Sequence, residues 1–491
     1  MTYTKVPLIW MDSLITPTYK PGKTKTDPAA YRPISVTCTL GRVFERAINN
    51  AMDSHLERNS LIHESQHGFR RGRSCETNLL VLMEYHAQVA EEGNNEDNCY
   101  FDHQAFFDGI PHQRCLASLN AHGVLEEGKI HKWITAWLRA GGELEETRRQ
   151  EPGELARSQE LKLVRRRQQV ILNGKASKWH YVTASIVQGS VLGPTLAKTF
   201  SNSSHQGRNL QLEDKPLVSK FPDDEKRCRI VNTEEQKVRM QEDINHMVSW
   251  SQRMGVELNE DKAHLLHIGQ SNTKKPYTLG EGGPVIKAVD KEKDLGVLIS
   301  SDLKPEKMVA NQVQKAHAKL SQFNSTFTYR GKTWLNLYKT YVIPLYASEA
   351  WRPTTQEGID KLESVQKRAI RMARVLAGKD YKDACRRAGM STIQEELEEK
   401  DMVRTYRIMN GYYKVEKTTF WKMAEAREGP GRRRFKEKEV CRTIAAQRKP
   451  IRKQSFASRV QDPWNQLKDR VKLARNPKAF RSELKKAKNI T

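Results

Sequence analysis

Tyr100-Phe101-Asp102-His103-Gln104-Ala105-Phe106-Phe107-Asp108-Gly109-Ile110-Pro111-His112 is the stretch on which the fold turns. Its opening continues a short apolar run from Cys99, the pattern of a buried strand, and the run ends on a carboxylate. A second acidic motif, Phe221-Pro222-Asp223-Asp224, stands downstream, and Val187-Gln188-Gly189-Ser190-Val191-Leu192-Gly193-Pro194 lies between the two. An isolated Asp-Asp pair usually marks a turn or a solvated face. Here the pair closely follows an aromatic residue and comes after a Gln-Gly block. One carboxylate ending a strand and two on a hairpin suit divalent-cation chemistry. Mg²⁺ prefers hard oxygen ligands and completes its shell with substrate phosphates. Two such ions about 4 Å apart can activate an attacking hydroxyl and steady the leaving oxygen of an in-line displacement.

Further blocks extend the pattern in order: Tyr31-Arg32-Pro33-Ile34-Ser35, Gln66-His67-Gly68-Phe69-Arg70-Arg71-Gly72-Arg73-Ser74, Leu258-Asn259-Glu260-Asp261-Lys262 and Lys293-Asp294-Leu295-Gly296-Val297. With these blocks the chain resembles the reverse transcriptases of non-long-terminal-repeat, jockey-like retrotransposons, from about residue 8 to the C-terminus. The resemblance implies an α+β right-hand polymerase. Its fingers would span residues 1–97, a palm with an antiparallel sheet 98–303, a helical thumb 304–376 and a basic, partly helical C-terminal region 377–491. It implies RNA-directed DNA synthesis on an RNA template, from a DNA primer and deoxynucleoside triphosphates, with two Mg²⁺ or Mn²⁺ ions. Asp102, Asp223 and Asp224 would hold the metal, and Lys262 would give a proton to pyrophosphate. A lysine side chain ordinarily carries that proton at pH 7. Phe107 matches the aromatic that screens the nucleotide's 2′ position, and Gln188 and Gly189 would pack beneath the incoming base pair. Arg32 and Arg42, with Lys20, would grip the triphosphate, since arginine forks suit phosphate. Arg70, Arg71 and Arg73 fall in the block that contacts template in the family, while Asp108 reads as structural.

Composition agrees with an anionic partner: 84 Lys and Arg against 59 Asp and Glu give a net charge of +25. No run approaches the roughly 20 apolar residues of a membrane span, and Met1 to Met11 lacks a signal-peptide core. Seven scattered cysteines form no Cys-x-x-Cys pair, so reduced thiols and an intracellular location, nuclear or cytoplasmic, are expected. Between Arg432 and Lys453 ten basic residues face two acidic ones. That run, Arg432, Arg433 and Arg434 above all, is expected to bind RNA or DNA phosphates with little sequence preference. His264 and His267 have no clear carboxylate or cysteine partner in the sequence and are not read as metal ligands.

Along the chain, the spacing predicts helices over Val43 to Leu56, after Thr77, over Leu116 to Leu138, over Glu235 to Met254 and through 304–376. Strands are expected at Gln169 to Leu172 and Trp179 to Thr183 around the hairpin signal Asn173-Gly174. Residues 142–166 are charge-dense and 197–220 polar and irregular, so both are expected to be loop-like. Three departures from the family pattern stand out: Pro222 where the hairpin usually has Ala, Ala184-Ser185-Ile186-Val187 before the Gln-Gly pair, and lost apolar periodicity after Pro194. Pro222 is expected to delete a strand hydrogen bond and disturb Asp223. The family carries an endonuclease domain upstream, so a chain starting at the fingers reads as a partial, element-derived copy. The alternative to a polymerase is a catalytically inactive nucleic-acid-binding protein.

Overall fold

Two five-stranded sheets organise the first 290 residues of the computed structural model. The structure describes residues 6–20, 22–124, 129–139, 166–182, 184–205, 216–342, 347–373, 378, 380–423, 440–443 and 449–487. In chain order the strands are β1 (Asp12–Tyr19), β2 (Tyr31–Val36), β3 (Glu96–Phe101), β4 (Arg167–Leu172), β5 (Lys175–Ala176), β6 (His180–Tyr181), β7 (Leu217–Phe221), β8 (Asp224–Ile230), β9 (His264–Ile268) and β10 (Lys287–Val289). The central sheet has the order β10-β9-β3-β8-β7. It is antiparallel except at its β10 edge, which runs parallel to β9.

Strand β3 is covered on both faces, although it begins Glu96-Asp97-Asn98. Buried carboxylates need partners. Glu96 faces His86 Nδ1 at 3.0 Å; Asp97 takes His267 Nδ1 at 2.6 Å and the Tyr277 hydroxyl at 2.7 Å. Cys99 and Phe101 enter the main core with Phe106, Leu196, Phe200, Met247 and Trp250. His264 is held separately, by Glu292 at 2.6 Å. Each histidine therefore has the carboxylate that the sequence did not reveal. Three residues apart on a strand, they point to opposite faces and do not converge on one ion.

The other sheet joins strands of the N-terminal hundred residues to the segment 167–181. β1 pairs antiparallel with β2 and parallel with β4, and β4 turns through Asn173-Gly174, both at positive φ, into β5. The Asn-Gly turn forms as the sequence predicts, but it closes onto Lys175–Ala176; of the expected strand Trp179 to Thr183, His180–Tyr181 pairs with the start of β4, and the sheet joins β1, outside the central sheet. Leu116 to Leu138 is two helices, His112–Ala121 and Lys129–Arg139; Gly123, at φ +63°, follows the first.

The polar stretch after Pro194 overturns the expectation of a loop. Gly193–Asn202 is a buried helix and β7 is an edge strand of the central sheet. Its polar side chains are buried because each has a partner. Lys198 reaches Asp53 and the Phe69 carbonyl; Asn202 reaches the Leu61 carbonyl and the His122 ring. Residues 206–215 and all of 142–166 except Arg166 lie outside the described residues. Arg166 is buried, with its guanidinium 4.4 Å from the Trp137 ring centre.

Helices Glu306–Thr326, Lys332–Tyr341 and Gln356–Met372 build the thumb around their own apolar cluster. The C-terminal region is more than a basic tail. Met402, Tyr406, Trp421, Phe456, Trp464 and Phe480 form a core that Leu80 of the helix Cys75–Glu92 completes. That same helix sends Leu79 and Leu82 into the cluster shared with the central sheet and thumb. Buried Glu84 on it accepts from Arg452 and from the Ala457 amide. Arg452, part of the expected phosphate-binding run, is thus spent on this docking, while exposed Lys449 donates to the Ala90 carbonyl. Among the described residues no helix is long and apolar enough to cross a membrane.

Candidate active site

The two acidic motifs meet because of strand register. Phe101 pairs with Glu225, so Asp102 leaves β3 beside Asp224 at the head of β8. The β7–β8 hairpin closes on Phe221 and Asp224, with Pro222 and Asp223 as its two loop residues. Burial raises the Asp223 carboxyl, and the charge of Asp102 raises it further. Asp224 is pushed up to about 7, by crowding from protein atoms first and then by Asp223, Asp102 and Asp294. Its side chain nevertheless keeps an open face to water, so the neighbouring charges weigh more than desolvation there. Lys262, in the short turn Glu260–Lys262, donates to Asp102, and the Asn259 amide holds the Asp102 carbonyl at 2.8 Å.

This donor set fits a hard divalent cation: its ligands are carboxylate oxygens with surplus negative charge. Among the described residues no three His, Cys, Asp or Glu side chains gather around one ion position. One or two carboxylates are what Mg²⁺ usually takes from protein, the rest coming from water and phosphate.

Pro222 does less harm than its sequence position suggests. It occupies the first loop position, outside the paired residues, where no ladder hydrogen bond needs its nitrogen. Its fixed φ suits that place in a turn. The turn is strapped from the fingers side. His67 N donates to the Lys220 carbonyl at 3.0 Å, Lys220 N to the Ser65 carbonyl at 2.9 Å, and Asn78 Nδ2 to the Lys220 carbonyl at 3.0 Å. A methyl group on Gly68 would lie 2.7 Å from Pro222 Cδ. The Gln66–Phe69 block therefore lies directly against the acidic turn.

The Gln-Gly block is fixed from β2. The Gln188 carbonyl accepts the Ser35 amide at 2.8 Å; Gly189 has φ +116°, and a methyl there would lie 2.4 Å from the Ser35 carbonyl oxygen. Glu45, 2% exposed, accepts from the amides of Val191 (2.8 Å) and Leu192 (3.3 Å) and from Trp137 Nε1 (3.1 Å). Sequence reading missed Glu45, yet a signal existed: it sits on the helical stripe Gly41, Glu45, Ile48, Met52, Leu56. A charge in a core register asks for a partner. Phe107 is half-buried; its carbonyl accepts from the Ile186 amide at 2.7 Å, and its ring stands edge-on to Phe69.

The basic candidates divide. Arg32 and Arg42 are exposed, on β2 and on the helix Thr39–Arg58. The charge of Lys20 is felt at Asp108, whose carboxyl burial raises. Arg70 and Arg73 are not presented to a template. Arg70 is buried, with two 2.9 Å bonds to Glu57 and one of 3.1 Å to the His63 carbonyl. The Arg73 side chain is also buried and bonds to Glu64. Arg71 alone of the three is exposed. Arg432, Arg433 and Arg434 lie outside the described residues. Arg70→Ala is expected to destabilise the fold by about 2 kcal/mol, the loss of charge-assisted bonds. Arg71→Ala should stay within about 0.5 kcal/mol of wild type in chemical denaturation.

Acidic residues gathered at one end of an antiparallel sheet, with the Gln66–Phe69 block strapped to their turn and a helical bundle after the sheet, have the layout of the right-hand polymerase fold. A family model described as reverse transcriptase (RNA-dependent DNA polymerase) matches residues 20–319. The chain belongs to the reverse transcriptase family. It is 25% identical over 380 residues to "Probable RNA-directed DNA polymerase from transposon X-element" of Drosophila melanogaster. It is 23% identical over 379 residues to "RNA-directed DNA polymerase from mobile element jockey" of the same fly. Each match covers 74% of this chain and 38% of the relative, so the chain spans about two fifths of those proteins. Apo telomerase from Candida Tropicalis overlays 85% of this chain and 69% of its own, at 10% identity and TM-score 0.43.

Proposed function

We propose that this chain carries out RNA-directed DNA synthesis, extending a DNA primer on an RNA template with deoxynucleoside triphosphates inside the cell. The observation that carries the reading is the meeting of Asp102, Asp223 and Asp224 at one sheet end, against the Gln66–Phe69 block. Asp102 and Asp223 would hold two Mg²⁺ ions, with Asp224 beside them. Bound there, the ions would supply Lewis-acid stabilisation to the attacking and leaving oxygens. The primer 3′-hydroxyl loses its proton to solvent as its oxygen bonds to the α-phosphorus, and the bond from that phosphorus to the bridging oxygen breaks. Lys262, exposed beside Asp102, would pass a proton to the departing pyrophosphate. Phe107 would stand at the nucleotide sugar, Gln188 and Gly189 beneath the base pair, and Arg32 and Arg42 at the triphosphate. Arg71 would meet template phosphate. Extension of a DNA primer on an RNA template, with Asp223→Ala as control, tests this; absence of any extension by wild type with Mg²⁺ or Mn²⁺ would refute it.

The charge crowding gives a second test. The folded Asp224 carboxyl, at about 7, lies above its ordinary 3.8. The folded state therefore holds that proton more tightly than the unfolded chain. The stability this confers is complete below about pH 4 and lost as pH rises through about 7. Asp224→Asn should then gain thermal stability over wild type at pH 8 and little at pH 4. Equal gains at both pH values would contradict the crowding.

A further inference from the structure

Phe69 is an unusual residue to find where it is. Its backbone has φ +54°, a conformation that costs a bulky side chain and persists only when surroundings enforce it. The residue is 45% exposed, which leaves apolar surface in water in the free protein. The enforcing group is visible. Lys198, 1% exposed on the helix Gly193–Asn202, donates to the Phe69 carbonyl at 3.1 Å and is ion-paired with Asp53. Asp53 is steadied by Asn49 Nδ2 at 3.0 Å and the Thr195 hydroxyl at 3.1 Å. On its other side Phe69 follows Gly68, which has no room for a side chain against Pro222. The outcome is one aromatic edge: Phe69 and Phe107 rings meet at 6.4 Å and 80°, beside the acidic turn.

We infer that Lys198 is a positioning residue, locking Phe69 from the core so that its ring, edge to edge with Phe107, stacks on a base of the template strand. The surface leading away from the ring favours a strand. Exposed Arg71 follows two residues on, and the Gly72 carbonyl accepts the Lys414 amide at 2.9 Å, next to exposed Tyr412. Cations interleaved with aromatic faces are how single strands are tracked. The inference rests on the polymerase reading above, and its test separates the two.

The probe is an RNA template with 2-aminopurine at its first unpaired position, annealed to a DNA primer. Wild type should bind it and quench its fluorescence by stacking. Phe69→Ala should weaken binding about 10-fold and abolish the quench, the scale of one base–aromatic stack; Phe69→Trp should restore both. Lys198→Met should reproduce the Phe69→Ala loss, and the double variant should lose no more, because the lysine acts only through that ring. Additive losses, or an unchanged quench in Phe69→Ala, would overturn the inference while leaving extension intact. A rise confined to the nucleotide KM, with template affinity untouched, would overturn it in favour of the nucleotide base. Failure of wild type to bind or extend the primed template would remove the polymerase reading itself.

Discussion

Primer extension by the Asp223→Ala protein is expected to fall by roughly 10³-fold or more, with affinity for primed template kept near that of wild type. Removing a carboxylate proposed to hold the ions would forfeit several kcal/mol of transition-state stabilisation, and each 1.36 kcal/mol is tenfold in rate. The fold should survive, because Asp223 is a hairpin loop residue outside the paired positions of the ladder. It also sits in a crowd of like charges, so its loss relieves repulsion at Asp224. Single-turnover extension together with filter binding measures both quantities. Loss of binding in step with extension would mean that Asp223 supports structure rather than chemistry.

Gly189→Ala should also be damaging, less so and by a different route. A methyl group there would be driven 2.4 Å from a backbone oxygen, and φ +116° is strained for any residue with a side chain. The clash falls on backbone, so no side-chain rotation relieves it. The Ser35–Gln188 hydrogen bond must open, parting β2 from the block expected beneath the base pair. A misplacement of about 1 Å can cost roughly 100-fold in rate, and extension is expected to fall by about that much with a raised nucleotide KM. Ser190→Ala, one residue on, provides the contrast: it loses one hydroxyl bond to the Val187 carbonyl and should keep most activity. Equal rates for Gly189→Ala and wild type would show that this approach is not maintained in solution.

The two acidic motifs were legible because they are short and local, and strand register brings them together. The apolar period also revealed the helices Thr39–Arg58 and Glu234–Met254. Phase was harder to read than period. Val43, expected inside, is 66% exposed, and Glu45 is buried in its stead. The segment after Pro194 was misread for the same physical reason on a larger scale. Hydropathy counts a buried lysine or asparagine as a loop residue, whereas burial is decided by whether partners wait at the destination. Lys198 finds Asp53, and Asn202 finds the Leu61 carbonyl, 141 residues away. The fate of Arg70 and Arg73 was equally hidden: their motif resembles a template-contacting block, but Glu57 and Glu64 claim the guanidinium groups.

The helix Cys75–Glu92 serves three masters, and this bears on how the molecule comes apart. Its neighbouring leucines, Leu79, Leu80 and Leu82, are divided between the cluster under the central sheet and thumb and the core of the C-terminal region. Undocking the C-terminal region would expose Leu80 and part Glu84 from Arg452 and the Ala457 amide, a loss of about 1.5–3 kcal/mol from the leucine alone. That is a sizeable part of the 5–15 kcal/mol, roughly, by which folded domains hold together. Fingers, palm, thumb and C-terminal region are thus names for places along the chain rather than separable cooperative units. One helix carries both Glu84, bonded to Arg452, and Asn78, bonded to the Lys220 carbonyl beside the acidic turn.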